Sequence, residues 1–141
     1  LGARRAGVSG YFLQQNCGKR NVSVDLRRPA GRALAADLAV ACDVVVENFR
    51  PGVMDSLGLG QAALRARNPR LVYCSISGFG HDSPQRGERA FAGVVHAATG
   101  LLDRQARAFG HEPEDSVLAV GDTVTGLQAA LAIVAALHLR Q

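Results

Sequence analysis

The chain has 141 residues, of which 16 are Lys or Arg and 12 are Asp or Glu, and its formal net charge is +4. At roughly 150 residues per domain, this length corresponds to one domain or to part of a larger one. Hydrophobic residues make up 48% and charged residues 20%, which is too apolar for a disordered chain. A packed core is therefore expected. Leu1 is not a start methionine, and we expect the sequence to be a piece of a longer protein.

The composition disfavours polyanions and membranes as partners. The arginines are scattered along the chain, Lys19 is the only lysine and aromatic residues make up 5%, so we expect no nucleic-acid partner. No stretch approaches the roughly 20 apolar residues that span a bilayer, since Gln128 and His138 interrupt the best candidate. Because no export signal opens the chain either, we expect a cytoplasmic protein.

The cysteines and histidines indicate neither a disulfide framework nor a metal site. Three cysteines are widely spaced and lack the C-x-x-C ligand pair of structural zinc sites. The four histidines share no metal-ligand spacing. We expect His96, on an apolar helix, to be packed and hydrogen-bonded rather than a base, and His138 to interact favourably with a helix dipole.

Short β-rich runs alternate with helical patterns in the first half of the chain, which is typical of α/β proteins with parallel strands. Pro29 stands at a favoured first helical position, and a short helical piece is expected near Met54. Right-handed crossovers would join the successive strands. The predicted unit comprises strands at 22–26, 43–47 and 71–76 and helices at 30–42 and 61–67.

The second half of the chain is less regular. Residues 77–89 read as a long mobile loop beyond a strand end, where ligands bind in open α/β sheets. A helix is predicted at 90–102, followed by a polar connection at 103–116. The last predicted element, 122–140, is rich in Ala and Leu and is expected to be a buried helix that needs packing neighbours from outside this sequence.

Two local motifs are candidates for function. Gly78-Phe79-Gly80 lacks the third glycine of a dinucleotide fingerprint, so a surface loop that turns with positive φ is favoured, with a flexible lid as the functional alternative. Asp122 follows Gly121 at the start of the last helix, and Asp is among the best N-cap residues. A carboxylate there also faces free backbone N–H groups, which favours its ionised form, and an ionised carboxylate can be a nucleophile. Spacing alone does not separate these two roles for Asp122.

Several blocks resemble the family III CoA-transferases, the CaiB/BaiF family. The first runs from Asn16 through Gly18-Lys19-Arg20 to Asp25-Leu26 and Arg28-Pro29-Ala30-Gly31-Arg32, with Asn21 where the family pattern has serine. The others are residues 43–54, 57–60, 68–80, 97–101 and 121–122. Most of the chain is covered, and the V-E-N-F-R-P-G and N-P-R-L-V-Y-C-S-I-S-G-F-G blocks are highly specific.

The resemblance implies an enzyme with an acyl-CoA and a carboxylic acid acceptor as substrates and no tightly bound cofactor. It implies that Asp122 attacks the thioester and carries first an acyl anhydride and then an aspartyl-CoA thioester. Closure of the glycine loop would keep water away from the anhydride. It also implies a Rossmann-like parallel sheet flanked by helices. Residues 1–141 would then be an incomplete large domain, lacking the family's first strand and later small domain, of a subunit that forms interlocked homodimers.

The resemblance also places the coenzyme A site by matching position. The arginines among the matching residues suit CoA phosphates, because guanidinium offers a fork of donors, although solvated strand-end arginines are the alternative from the residues alone. Ser56 departs from the family, where a basic residue often stands. The matching residues are Val24, Asp25, Leu26, Arg27, Asn48, Phe49 and Arg50.

Phe91-Ala92 is a second departure. The transferases usually have Tyr and an acidic residue here, and the related α-methylacyl-CoA racemases have His-Asp. A racemase needs a base to remove the α-proton, so with Phe91-Ala92 at this place it would lack a main catalytic group. A transferase would lack only a supporting group. The transferase is therefore favoured over a racemase. A catalytically inactive CoA-binding remnant is a further alternative, because the sequence lacks the family's first strand and later domain.

Overall fold

The structure is a computed structural model that describes residues 4–5, 7–115 and 119–140. Its strands are β1 Arg4–Arg5, β2 Val8–Ser9, β3 Val44–Glu47 and β4 Val72–Ser75. Its helices are α1 Gly10–Asn16, α2 Pro29–Val40, α3 Val53–Ser56, α4 Gln61–Arg67, α5 Ala92–Ala98, α6 Leu101–Phe109 and α7 Val120–Leu139.

The centre of the fold is a parallel pair of strands. β3 pairs with β4 in a register that sets Val44 opposite Val72 and Glu47 opposite Ser75. Their carboxyl ends therefore lie side by side. α2 packs against α4, and α7 packs against α5 and β4. This arrangement confirms the predicted parallel sheet flanked by helices and most of the bounds of its first half.

One hydrophobic core supports the sheet. Leu59, Leu64 and Leu71 are buried, and Val45 of β3 and Tyr73 of β4 pack against them. Burying one such leucine stabilises a fold by about 1.5 to 3 kcal/mol relative to exposing it. The core thus fixes the strands whose ends carry the polar residues described below.

The predicted strand at 22–26 is wrong, because that segment ends in a turn. The Asp25 carbonyl accepts the Arg28 N–H at 3.1 Å, and the Asp25 carboxylate accepts the Arg27 N–H at 3.0 Å. A strand requires a hydrogen-bonded neighbour, and the described part of the chain offers this segment none. Near the start of the described residues, Arg4–Arg5 pairs antiparallel with Val8–Ser9.

The predicted helix at 90–102 is two helices. Gly100 adopts φ 74°, a left-handed conformation that favours glycine, and it separates α5 from α6. The predicted polar connection at 103–116 is also wrong as far as Phe109, where α6 ends. Ser116 lies outside the described residues.

The last helix, α7, exposes much of its apolar surface. None of its residues is buried by the described part of the chain, and Leu131 is 72% and Leu139 is 85% exposed. Burial of α7 against neighbours outside this sequence stays a prediction. With 20 residues and a mean hydropathy of 1.6, α7 is also long and apolar enough to cross a bilayer. This corrects the expectation that no segment of the chain is long and apolar enough to do so. Length and composition alone are weak support for a span, since core helices of soluble proteins share them.

Candidate active site

The polar residues at the end of β3 are held by short hydrogen bonds. Glu47 is 9% exposed, and one of its carboxylate oxygens accepts the Phe49 N–H at 2.7 Å. The Asn48 side-chain amide donates to the Ile76 carbonyl at 2.8 Å, across to the residue beyond β4. The V-E-N-F segment therefore forms a fixed turn at the carboxyl edge of the sheet, where ligands bind in α/β folds.

A cavity of about 330 Å³, the Asp122 cavity, opens beside this turn. Asn48 and Asp122, far apart in sequence, lie on the same cavity, so the structure brings these two predicted site residues together. Its lining residues come from the end of β3, the loop after β4, α5 and α7. Its walls are Asn48, Ile76, Ser77, Gly78, Ala90, Phe91, Ala92, Val95, Gly121, Asp122, Thr125 and Gly126.

The first turn of α7 presents Asp122 at the third helical position. The N-cap is Ala119, which has no side chain to cap with, so the prediction of Asp122 as the N-cap is wrong. Instead the Gly121 N–H donates to Nε2 of His96 at 3.3 Å, and Nδ1 of His96 lies 3.4 Å from a carboxylate oxygen of Asp115. His96 is 2% exposed, which confirms its prediction as a packed, hydrogen-bonded histidine.

The glycine loop begins and ends at the cavity wall. A methyl group at Gly78 would overlap the Cβ of Ala90, so only glycine allows the two segments to approach this closely. Gly80 adopts φ 81°, which confirms the predicted positive-φ turn there. Closure of this loop as a lid stays a prediction.

A second cavity of about 220 Å³, the arginine cavity, shares a wall with the first. Phe49 and Arg50 line it, and their role in binding coenzyme A stays a prediction. Arg86 and Arg89 were not recognised from the sequence, because they belong to an irregular charged loop. Glu88 supplies the opposing charge. The shared wall consists of Asn48, Ser77, Gly78, Ala90 and Phe91.

The predicted coenzyme A residues Val24 to Arg27 lie elsewhere, at the turn before α2. Arg27 Nε contacts the Asp25 carboxylate at 2.9 Å. This ion pair lowers the pKa of Asp25 and raises that of Arg27, because each charge stabilises the other. Arg27 is thus engaged by its own neighbour, and a role of these four residues in binding coenzyme A stays a prediction.

A third cavity, of about 280 Å³, lies behind Glu47 and contains Tyr73 and His81. The Ser75 hydroxyl hydrogen-bonds the Glu47 carboxylate and lies 2.7 Å from Nε2 of His81. Burial, with the negative charges of Glu47 and Asp55, raises the pKa of Tyr73 to about 12. The cluster stabilises the base of the loop.

Residues 2–141 match CoA-transferase family III. The chain belongs to this family. It is 38% identical over 133 residues to an acyl-CoA transferase of Fusarium pseudograminearum, and 38% identical over 129 residues to the succinyl-CoA–D-citramalate CoA-transferase of Chloroflexus aurantiacus. A crystal structure of a CaiB/BaiF family protein from Brucella suis is 35% identical, with a TM-score of 0.86.

This family III chain covers only part of its relatives. The two enzymes align with 94% and 87% of this chain but with 29% and 30% of their own lengths. The Brucella suis structure aligns with 98% of this chain and 37% of that one. The chain thus spans about 30% of the curated relatives that it matches.

The two departures from the family pattern fall at different places in this family III chain. Phe91 and Ala92 line the Asp122 cavity and leave it without an imidazole or carboxylate at the start of α5. Ser56 donates its hydroxyl to the Val53 carbonyl of its own helix at 2.7 Å. The described segments hold no cluster of His, Cys, Asp and Glu that suits a metal ion.

Proposed function

We propose that the protein to which this chain belongs transfers coenzyme A from an acyl-CoA to a carboxylic acid, with Asp122 as the nucleophile. The observation that carries the proposal is the pair of adjoining cavities. One is lined by Asp122, in the first turn of a helix, and the other is lined by Arg50, Arg86 and Arg89. Acyl-CoA has the complementary layout, with a reactive thioester at one end and phosphates at the other.

The chemistry follows from a carboxylate that attacks acyl groups. An Asp122 oxygen attacks the thioester carbon, the C–S bond breaks, and CoA leaves as the thiolate, which gives an acyl anhydride. The thiolate then attacks the carbonyl carbon of Asp122 and expels the donor carboxylate, which leaves an aspartyl-CoA thioester. The acceptor carboxylate attacks that thioester, and the released thiolate attacks the acceptor's acyl carbon. The products are a new acyl-CoA and the Asp122 carboxylate.

The arginine cavity supplies the affinity for CoA in this proposal. Arg50, Arg86 and Arg89 offer forked donors that match phosphate oxygens, which lysine at the same places would meet only as point charges. Glu88 limits the net positive charge of the cavity. The shared wall at Gly78 and Phe91 would carry the pantetheine arm from one cavity to the other.

The racemase alternative lacks its base in this geometry. The imidazole nearest to Asp122 belongs to His96, whose ring nitrogens face Gly121 and Asp115 rather than a substrate. We therefore propose transfer rather than racemisation. The incomplete large domain and the interlocked homodimer remain proposals that rest on the family, and the cytoplasmic location remains a proposal that rests on the sequence composition.

The test uses the full-length protein, incubated with acyl-CoA donors and trapped with hydroxylamine, which converts an anhydride or thioester of Asp122 to a hydroxamate. We expect the modified peptide to contain Asp122, and we expect Asp122→Asn to lower transfer by roughly a thousandfold or more, as losses of nucleophiles do. Asp103→Asn is the matched control, since Asp103 is exposed and paired with Arg107 on α6. Unchanged turnover in Asp122→Asn would exclude the mechanism, and exchange of the α-proton with solvent without transfer would favour a racemase.

A further inference from the structure

The start of α7 obtains its cap from another helix. The first four N–H groups of a helix have no partner within it, and a Ser, Thr, Asn or Asp at the N-cap usually satisfies one of them. Ala119 offers no such group. The acceptor for Gly121 comes from α5, where the buried ring of His96 faces the first turn of α7.

The two partners of His96 define its protonation. A backbone N–H only donates, so Nε2 accepts from Gly121 and carries no proton. The proton of the neutral ring is then on Nδ1, where it points to the Asp115 carboxylate 3.4 Å away. A carboxylate behind an imidazole fixes its tautomer and orientation.

The contact is built closely enough to set the position of the turn. A methyl group at Gly121 would lie 3.7 Å from Nε2 of His96, an ordinary packing distance, so the helix start rests directly on the ring. On the other side, a methyl group at Gly93 would lie 2.7 Å from a carboxylate oxygen of Asp115, so that carboxylate lies directly over α5. Asp122 is the next residue along the turn.

We propose that His96, oriented by Asp115, is a positioning residue for Asp122: its neutral ring holds the Gly121 N–H and thereby the turn from which the nucleophile projects. This inference rests on the proposed CoA transfer. His96 is not proposed to touch substrate, because it is 2% exposed and both of its ring nitrogens face partners within the protein. The reacting atoms of a bound thioester must be aligned to a fraction of an ångström, so a loosened turn costs rate rather than affinity.

The proposal has a consequence for pH. Protonation of His96 at Nε2 converts the acceptor into a donor that faces the Gly121 N–H, so proton uptake and capping exclude each other. The charged groups that the structure places near His96 are Asp115, from the segment before α7, and Arg104 on α6, which lines a shallow cavity together with His96. The bond to the Gly121 N–H therefore requires the neutral ring.

The experiment compares three variants of the full-length protein. His96→Leu fills the space without an acceptor. His96→Gln keeps an acceptor for Gly121 and a donor for Asp115 but does not titrate. His138→Gln is the control, since His138 is exposed in the last turn of the same helix. The readouts are kcat and KM for acyl-CoA across pH, the ¹⁵N shifts of the His96 ring, and hydrogen exchange at the Gly121 amide.

We expect His96→Leu to lower kcat by about 10- to 100-fold with KM unchanged, and to speed exchange at Gly121. His96→Gln should restore most of kcat. It should also remove the fall of kcat at low pH that protonation of His96 causes, which wild type and His138→Gln should both retain. A proton on Nε2 of wild-type His96, or equal kcat and identical pH profiles in all three variants, would overturn the proposal. If wild type transfers no CoA, the proposed function fails, and the ring shifts and the Gly121 exchange still decide the capping role.

Discussion

The two ends of α7 are attached in opposite ways. At its start, a buried neutral imidazole accepts one backbone N–H. At its end, the Arg140 guanidinium donates to the Asp43 carboxylate at 2.7 Å and to the Arg70 carbonyl at 3.0 Å. The first contact joins α7 to α5 and the cavity, and the second joins it to the residues that precede β3 and β4.

The two ends of α7 therefore have different roles: the end holds the helix to the sheet, whereas the start sets the position of Asp122. The charged contact at the end joins a guanidinium to a carboxylate and does not depend on the protonation state of a histidine. The contact at the start depends on one protonation state of His96 and adjoins Asp122, the proposed nucleophile. Changes at the end of α7 should therefore affect stability, whereas changes at its start should affect rate.

The largest expected effect on stability comes from the hydrophobic core that packs against β3 and β4. Leu64 is 1% exposed, and Leu64→Ala should lower the free energy of unfolding by about 3 kcal/mol through lost burial and a cavity. Urea denaturation of the full-length protein measures this loss, and hydrogen exchange under native conditions should leave the Gly121 amide as protected, relative to global unfolding, as in wild type. Selective loss of protection at Gly121 would show that the two ends are coupled through the core.

A smaller effect is expected at the attachment itself. Arg140→Leu removes the ion pair and the bond to Arg70, and should cost about 1 to 2 kcal/mol, because Asp43 is largely exposed and solvent weakens the pair. Arg140→Lys should recover only part of this, since an ammonium cannot serve both acceptors as a fork does. Values of kcat measured below the onset of unfolding should match wild type in both variants. A loss of kcat in Arg140→Leu comparable to that of His96→Leu would break the contrast.

The smallest expected effect is a loss of folding stability at alkaline pH, which should leave the contacts at both ends of α7 intact. The folded protein holds the proton of Tyr73 more tightly than the ordinary value of 10, with a pKa of about 12. The stabilisation is therefore complete below pH 10 and is lost as pH rises from 10 to about 12. Because Tyr73 is partly exposed, the loss should stay below about 1 kcal/mol. Ultraviolet titration of tyrosinate against Tyr73→Phe measures it, and a midpoint near 10 for Tyr73 would contradict the shift.

Local patterns in the sequence predicted much of the sheet and its helices. The β-branched run at 43–47 and the helix at 61–67 agree with β3 and α4 within one residue, because burial and helical periodicity are local properties. The strand at 22–26 had a similar alternation but no described partner, and pairing is a tertiary property. Gly100 ends a helix through its own positive φ, which the continuous helical pattern concealed.

The site was predictable only in part for the same reason. Asp122 and Asn48 came from resemblance, and the structure places both on one cavity. Arg86 and Arg89 lie in a loop whose pattern carries no periodicity. The contact between His96 and Gly121 spans 25 residues, and nothing in the alanine at position 119 indicates that a cap must come from elsewhere.

The close approach of Gly78 to Ala90 makes the segment between them a loop whose two ends lie side by side. Its two ends meet at the cavity wall, while its interior carries Arg86, Glu88 and Arg89 into the arginine cavity. Changes between Asp82 and Arg89, in the laboratory or in evolution, should therefore alter the arginine cavity more than the wall around Asp122. In terms of the proposed function, recognition of the CoA end can vary while the position of Asp122 is kept.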